Sequence, residues 1–274
     1  IRVPAGDFSA KIMVKVGQLN SKDFPANKKY AIPLSITGAS NYSLIPSQRS
    51  AILLLNRSIL SSVAKVSGGE GIRIKPVGMH TKAEWTIQMS AIYSSLTRSN
   101  LTTAYLSNGT GGEFYTRISS TAGIQVKNGR DGDDTWTQIP LQAGKWLHIT
   151  YVHKDKKTTV YVNGKVQKVF ENSAITFGEN SMIVVGNSGY RNDYLREIRL
   201  WDKALTESEI NDYLYLPMDP ATPHLISYLP LSKEMETKDL KAPAGTENVT
   251  TKARIEYVEN VKFPADELVI VNQE

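Results

Sequence analysis

The sequence predicts an all-β protein, an antiparallel sandwich of jelly-roll type that carries one short helix. Three observations carry that expectation. From about residue 58 onward, short runs of β-branched and aromatic residues recur roughly every ten residues with turn residues between them. The stretch KWLHITYVHKDKKTTVYVNGKVQK at 145–168 has the pattern of a three-stranded meander. One segment, ALTESEINDYLYLP at 204–217, carries helix signals.

Taken in order, residues 1–57 hold three strand candidates. FSAKIMVKV alternates Ala10, Ile12, Val14 and Val16 against Lys11, Met13 and Lys15, and YAIPLSI and SAILLL follow between Pro25, Gly38 and Pro46. Three strands are too few to close a sandwich. The segment is either the C-terminal part of a β domain that begins upstream, or a layer that packs on its neighbour. Residues 58–274 form the main domain, with strands expected in GIRIKPV, EWTIQMSAIY, TAYLSN, EFYTRIS, GIQVKN, TWTQIP, MIVVGN and LREIRLWD besides the meander. In the meander, Leu147, Ile149 and Tyr151 share one face and Trp146, His148, Thr150 and Val152 the other. Asn163-Gly164 suits a type I′ turn, whose central residues both need φ > 0. The helix begins with a Thr206/Glu209 capping box, has a Leu205–Ile210 staple, and is expected to end at Pro217. The tail returns to strand-like alternation, with Val269–Val271 as a late strand.

The bulk properties exclude several classes. Net charge is +5, yet the first 57 residues alone carry eight Lys/Arg against two acids, scattered through strands with few aromatics, which argues against nucleic-acid binding. There is no cysteine, so disulfides, thiolate metal sites and a cysteine nucleophile are ruled out. No apolar run approaches the ~20 residues of a membrane helix. The sequence starts at Ile1, and any targeting segment or lipid anchor is expected upstream of it.

Several motifs taken together resemble a known family. GKWLHITYVHKDKKTTVYVNGK, then IVVGNSG, then LREIRLWDKALTESEI resemble the laminin-G-like, concanavalin-A-like jelly rolls. That family runs from a Trp-x-His strand (Trp146, His148) through a Tyr-Val-Asn-Gly hairpin (Tyr161–Gly164) and a glycine-ended strand (Gly186). It then continues into a Glu-x-Arg-x-Trp strand (Glu197–Trp201) and an Ala-Leu-Thr helix start (Ala204–Thr206). The resemblance covers roughly residues 59–263 and implies a concanavalin-A-like sandwich. Residues 1–57 resemble the end of an Ig-like N-terminal β domain found in surface lipoproteins of Bacteroidetes. Together these imply an exported, outer-membrane-surface protein, held at the membrane only through an upstream lipid anchor.

The same jelly roll carries hydrolases, lyases and binders. Hydrolases of this architecture bear Glu-x-Asp-x-x-Glu or Glu-x-Asp-x-Glu on one strand, and the sequence has no such run. A non-catalytic carbohydrate-binding or adhesin-like module is therefore the preferred expectation, with glycans and neighbouring outer-membrane proteins as partners. A glycosidase or lyase with an unrecognised site, and a structural or protein-interaction domain, remain as alternatives. Two stretches suit sugar binding, which uses aromatic faces beside Asn, Asp and Arg on loops. One is NGRDGDDTWTQ, with Arg130 and Trp136 flanked by polar Thr135 and Thr137; the other is NSGYRNDYLRE, with Tyr190, Arg191, Asn192, Asp193 and Tyr194 in a loop. Laminin-G-like domains often hold Ca²⁺, and Asp131, Asp133 and Asp134 are the candidate oxygen ligands. Trp85, Trp146 and Trp201 fit core or sheet-face packing, His148 and His153 are expected as sheet-face residues, and Glu197 and Arg199 as a cross-strand pair on a polar face.

Overall fold

The computed structural model describes residues 3, 5–7, 9–17, 19–20, 22–24, 28–55, 58–69, 71–77, 82–97, 105–107, 113–127, 132–171, 175–177, 181–186 and 190–272. The chain divides into two compact units, Ile1–Asn56 and Arg57–Glu274.

In the first unit, strands β1 (Tyr30–Ser35) and β2 (Ser50–Leu55) pair antiparallel, with Tyr30 opposite Leu55. The strand expected over residues 8–16 does not form across 9–16. Alternation creates a strand only where a second strand accepts its hydrogen bonds, and here Ile12 and Met13 stand 55% and 94% exposed.

The second unit contains β3 (Ile59–Gly68), β4 (Ile72–Ile74), β5 (Trp85–Ile92), β6 (Tyr105–Ser107), β7 (Glu113–Ser119), β8 (Gly123–Lys127), β9 (Trp146–Lys154) and β10 (Lys157–Val162). It continues with β11 (Lys165–Glu171), β12 (Met182–Val185), β13 (Tyr190–Trp201), α1 (Glu207–Asp212), β14 (Leu225–Leu229), β15 (Val249–Thr250) and β16 (Arg254–Phe263). Among the described residues every strand pairing is antiparallel. One sheet has eight strands in the order β11-β10-β9-β5-β13-β3-β16 with β14 alongside β13, and the other has six in the order β15-β4-β12-β6-β7-β8.

The main core joins the inner faces of the two sheets. Ile87 and Met89 of β5, Leu147, Ile149 and Tyr151 of β9, and Leu195 and Leu200 of β13 meet Ile72, Phe114, Ile124 and Ile183 from the other side. A second cluster lies on the outer face of the eight-stranded sheet, where Val152, Tyr161, Trp201 and Tyr228 pack beneath Leu205, Ile210 and Leu214. The capping box forms as expected, with the Thr206 side chain accepting from Glu209 N and the Glu209 carboxylate accepting from Thr206 N. The helix closes at Asp212, ahead of Pro217.

The meander turns are tight. Asp155 and Lys156 (φ +51° and +60°) link β9 to β10, and Asn163 and Gly164 (φ +50° and +76°) link β10 to β11. The Asn163 side chain also receives His148 N at 2.7 Å and donates to Trp146 O at 3.3 Å, tying the turn to β9.

Three expectations need correction. TWTQIP is no strand: Asp133–Thr135 form a 3-10 turn, and Trp136 makes a single bridge to Gln125. Residues 190–194 are no loop, because β13 starts at Tyr190 and pairs with β3 from there. Val269–Val271 reduces to one bridge, Ile270 to Val261.

Candidate functional site

β13 changes partners along its length. It pairs with β3 through Tyr190–Leu195 and with β14 through Ile198–Trp201. Glu197 lies at the changeover with φ +55°, and its N–H donates to Pro230 O at 3.2 Å. Two strands away, β16 slips register against β3 between Val258 and Val261, and Asn260 takes φ +56°. Leu231, just past β14, is also left-handed at +55°. Side chains rarely enter this region, and bulges of this kind re-aim them. The bulges open a cavity of about 370 Å³ on the outer side of the eight-stranded sheet. Glu197, Tyr228 and Ser62 line it together with Glu234, Glu259 and Asn260, and Pro217, Met218 and Leu240 supply apolar wall.

Glu197 is 1% exposed and sits amid donors. Arg199 donates to its Oε2 from Nη2 at 2.6 Å and from Nε at 3.2 Å, Arg196 Nη2 reaches Oε1 at 3.4 Å, and the Tyr228 hydroxyl donates at 3.0 Å. The expected Glu197/Arg199 cross-strand pair on a polar face is therefore corrected. The two residues lie on one strand, at i and i+2, in a buried cluster, because the bulge turns Glu197 toward the arginines. The guanidinium groups also hold the segment after α1: Arg199 donates to Tyr213 O at 2.9 Å and Leu216 O at 2.6 Å, and Arg196 to Tyr215 O at 3.3 Å. Burial first, then the Glu197 carboxylate, push the Tyr228 phenol well above its ordinary value. It therefore stays neutral, donating to Glu197 and accepting from Met218 N at 3.0 Å.

At the rim, the Ser62 hydroxyl receives Lys233 N at 2.7 Å and donates to Glu234 at 3.5 Å, while the Lys233 ammonium pairs with Glu259. The Glu234 carboxyl is held below its ordinary value, chiefly by its own backbone N–H and then by the Ser232 hydroxyl. It is ionised at neutral pH.

Of the site residues singled out in the sequence, Trp136 and Tyr190–Tyr194 do not line the cavity, and they lie on different sheets. Trp136 is 4% exposed, folded onto β8, and its carbonyl accepts from Lys168 at 2.7 Å. Thr135 and Thr137, expected as polar neighbours of a binding face, are buried; their hydroxyls accept from the Gln125 side chain at 2.8 Å and from Ile124 N at 3.0 Å. Arg130 and Asp131 lie outside the described residues. Asp133 and Asp134 are exposed at the 3-10 turn, and among the described residues no three His, Cys, Asp or Glu side chains converge as metal ligands. In β13, Asp193 is 7% exposed and accepts from Ser94 N at 2.7 Å and Ser94 Oγ at 3.0 Å. Asn192 is exposed in a bulge at φ +62°, and Tyr194 is half-buried. Of Tyr190 and Arg191 the backbone placement in β13 is described.

The meander histidines are buried sheet residues. The His148 ring meets Ser90 Oγ at 2.7 Å on the outer face, and its pKa is lowered by burial and then by Arg199 and Arg196. Sequence reasoning missed the cavity residues. Glu234, Glu259 and Asn260 carry no periodic signal; the one pointer was the Glu-x-Arg-x-Trp run, which places two like-facing charges in a strand otherwise made for burial.

The family model described as the concanavalin A-like lectin/glucanases superfamily matches residues 67–211. Comparison with curated protein sequences finds no match. Among solved structures, a candidate carbohydrate-binding protein from Bacteroides ovatus is similar over 90% of this chain and 72% of its own, with 18% identity and a TM-score of 0.59. A heptameric SAP-like pentraxin from Limulus polyphemus is similar over 73% of this chain and 94% of its own (13% identity, TM-score 0.47). Domain 4 of the extracellular arabinanase AbnA of Geobacillus stearothermophilus, in complex with arabinotriose, is similar over 67% and 87% (16% identity, TM-score 0.44).

Proposed function

The chain belongs to the concanavalin A-like lectin/glucanase superfamily, and on that premise we propose that it is a non-catalytic carbohydrate-binding module of a bacterial cell-surface glycan-utilisation system. The observation that carries this reading is the cavity at Glu197, Glu234, Glu259 and Asn260. Acceptor oxygens set against proline and methionine walls suit a sugar ring, which presents hydroxyls at its edge and C–H groups on its face. The carboxylates favour holding over cleaving. A glycosidase needs a general acid whose pKa is raised, whereas the Glu234 carboxyl is held below its ordinary value. The similarity to the Bacteroides ovatus protein, itself named as a candidate carbohydrate-binding protein, is in keeping with this reading. Display at the outer-membrane surface, a place beside other surface proteins of the same system, and a Ca²⁺ ion at Asp131, Asp133 and Asp134 that binding does not depend on belong to the same proposal.

A glycan array spanning host and dietary polysaccharides, run with Ca²⁺ and with chelator, tests it. Binding in either condition is the expected result. Silence in both, with folded protein confirmed by circular dichroism, would sink the reading. Chromatography of the same polysaccharides after incubation should return them intact, and released oligosaccharides would make the protein an enzyme instead.

A further inference from the structure

We infer that the cavity at the Glu197 and Asn260 bulges selects neutral sugar residues and rejects acidic ones. The inference rests on the carbohydrate-binding reading and narrows it to a ligand class. It follows from which groups around the cavity are still available to a ligand. No Lys or Arg side chain is among the lining residues, while three glutamates are. The cations just behind the wall are committed elsewhere. Arg199 and Arg196 serve Glu197 and the carbonyls of Tyr213, Tyr215 and Leu216, and the Lys233 ammonium serves Glu259. The Tyr228 hydroxyl gives its proton to Glu197. The site is thus rich in acceptors and poor in donors, with its charges compensated nearby.

A ligand for such a site must bring O–H donors and no negative charge. A neutral hexose or pentose does so, and charge-assisted hydrogen bonds from its hydroxyls to Glu234 and Glu259 are the strong kind. A uronate or sulfated sugar would meet two carboxylates, and Lys233, the cation at the rim, is already paired with one of them. Pro217 and Met218 offer apolar surface to the ring face. The volume, about 370 Å³, is at the small end for a ligand pocket, which suits one end of a chain rather than its middle.

The test is calorimetric titration with three sets of oligosaccharides: neutral glucans, mannans and arabinans; polygalacturonate fragments; and sulfated fragments. At least tenfold preference for a neutral set is expected. Glu234→Gln with Glu259→Gln, both at exposed positions, should weaken the neutral ligand about tenfold and narrow the gap to the acidic ones. Asn260→Gly keeps the left-handed backbone and should also weaken neutral binding. Equal or tighter binding of an acidic set overturns the inference while leaving carbohydrate binding intact. Neutral binding that is unchanged in all three substitutions moves the site elsewhere and overturns it too. Silence toward every set removes the carbohydrate reading and this inference with it.

Discussion

Stability of the larger unit should fall as pH drops from about 6.5 toward 4, and His153 is one of two buried histidines that cause it. The ring is buried against Trp85, with centroids 5.1 Å apart and planes 17° from parallel. Its Nε2 accepts the Ile175 N–H at 3.2 Å, which fixes the proton on Nδ1, facing Thr158 Oγ1 at 3.0 Å. A second proton must therefore break the Ile175 bond and charge a buried ring. Burial lowers the His153 pKa from 6.5 to about 4. The unfolded chain then binds the proton first, so stability is full above pH 6.5 and is lost as pH falls through the window down to 4. Two and a half units at about 1.4 kcal/mol each set an upper bound of about 3–4 kcal/mol, and screening of the charge brings the expected loss to about 2 kcal/mol. His148, lowered in the same direction, adds to the slope. Urea unfolding at half-unit steps from pH 7.5 to 4, followed by tryptophan fluorescence, measures this; all four tryptophans lie in the larger unit. His153→Gln should cost stability at pH 7 and flatten the slope between pH 6.5 and 4. A wild-type curve that is flat across that window, or a variant with an undiminished slope, would refute the reasoning.

Two further outcomes follow from the same packing. Glu197→Gln leaves the buried Arg196 and Arg199 without their counter-charge and should cost about 3–5 kcal/mol in urea unfolding at pH 7; a loss below 1 kcal/mol would mean that the cluster is not holding the segment after α1. Gly164→Ala places a methyl group 2.0 Å from Asn211 Oδ1 at a φ of +76°, so its melting temperature should drop by several degrees, whereas Gly144→Ala, equally left-handed but with open space around it, should drop less.

How much was legible follows from what each feature depends on. The meander and the capping box were legible because each rests on neighbours a few residues apart. Alternation, Asn-Gly and Thr-x-x-Glu are local signals. The strand expected at 8–16 and the late strand at 269–271 failed because a strand is a property of a pair, and nothing local reports whether the partner is there. Trp136 shows the converse error. Its polar neighbours suggested an exposed binding face, yet the Thr137 hydroxyl takes the Ile124 N–H that a ladder would have paired, and the Thr135 hydroxyl accepts from the Gln125 side chain. The cavity was hidden for a third reason. It depends on bulges in β13 and β16, which lie 63 residues apart at Glu197 and Asn260 and converge only in the sheet.

The Glu-x-Arg-x-Trp run takes on its meaning from that convergence. An outer sheet face covered by a helix would ordinarily be apolar, but β5 and β13 set polar side chains there, and each reaches the backbone or side chains of what covers or adjoins it. Thr86 Oγ1 donates to Lys203 O at 2.8 Å and accepts from Leu205 N at 3.0 Å, anchoring the entry to α1. Arg199 anchors the exit through Tyr213 O and Leu216 O, and the Trp201 indole donates to Gln88 Oε1 at 2.8 Å, locking the two strands that carry these groups. The layer satisfies carbonyls that the end of a six-residue helix would otherwise leave open. It also fixes the segment whose next residues, Pro217 and Met218, form the cavity wall. The wall is therefore held by paired strands and a buried ion pair rather than by a free loop. That is the rigid support a selective binding site needs, and it sets the Glu-x-Arg-x-Trp run directly beneath the site proposed for the ligand.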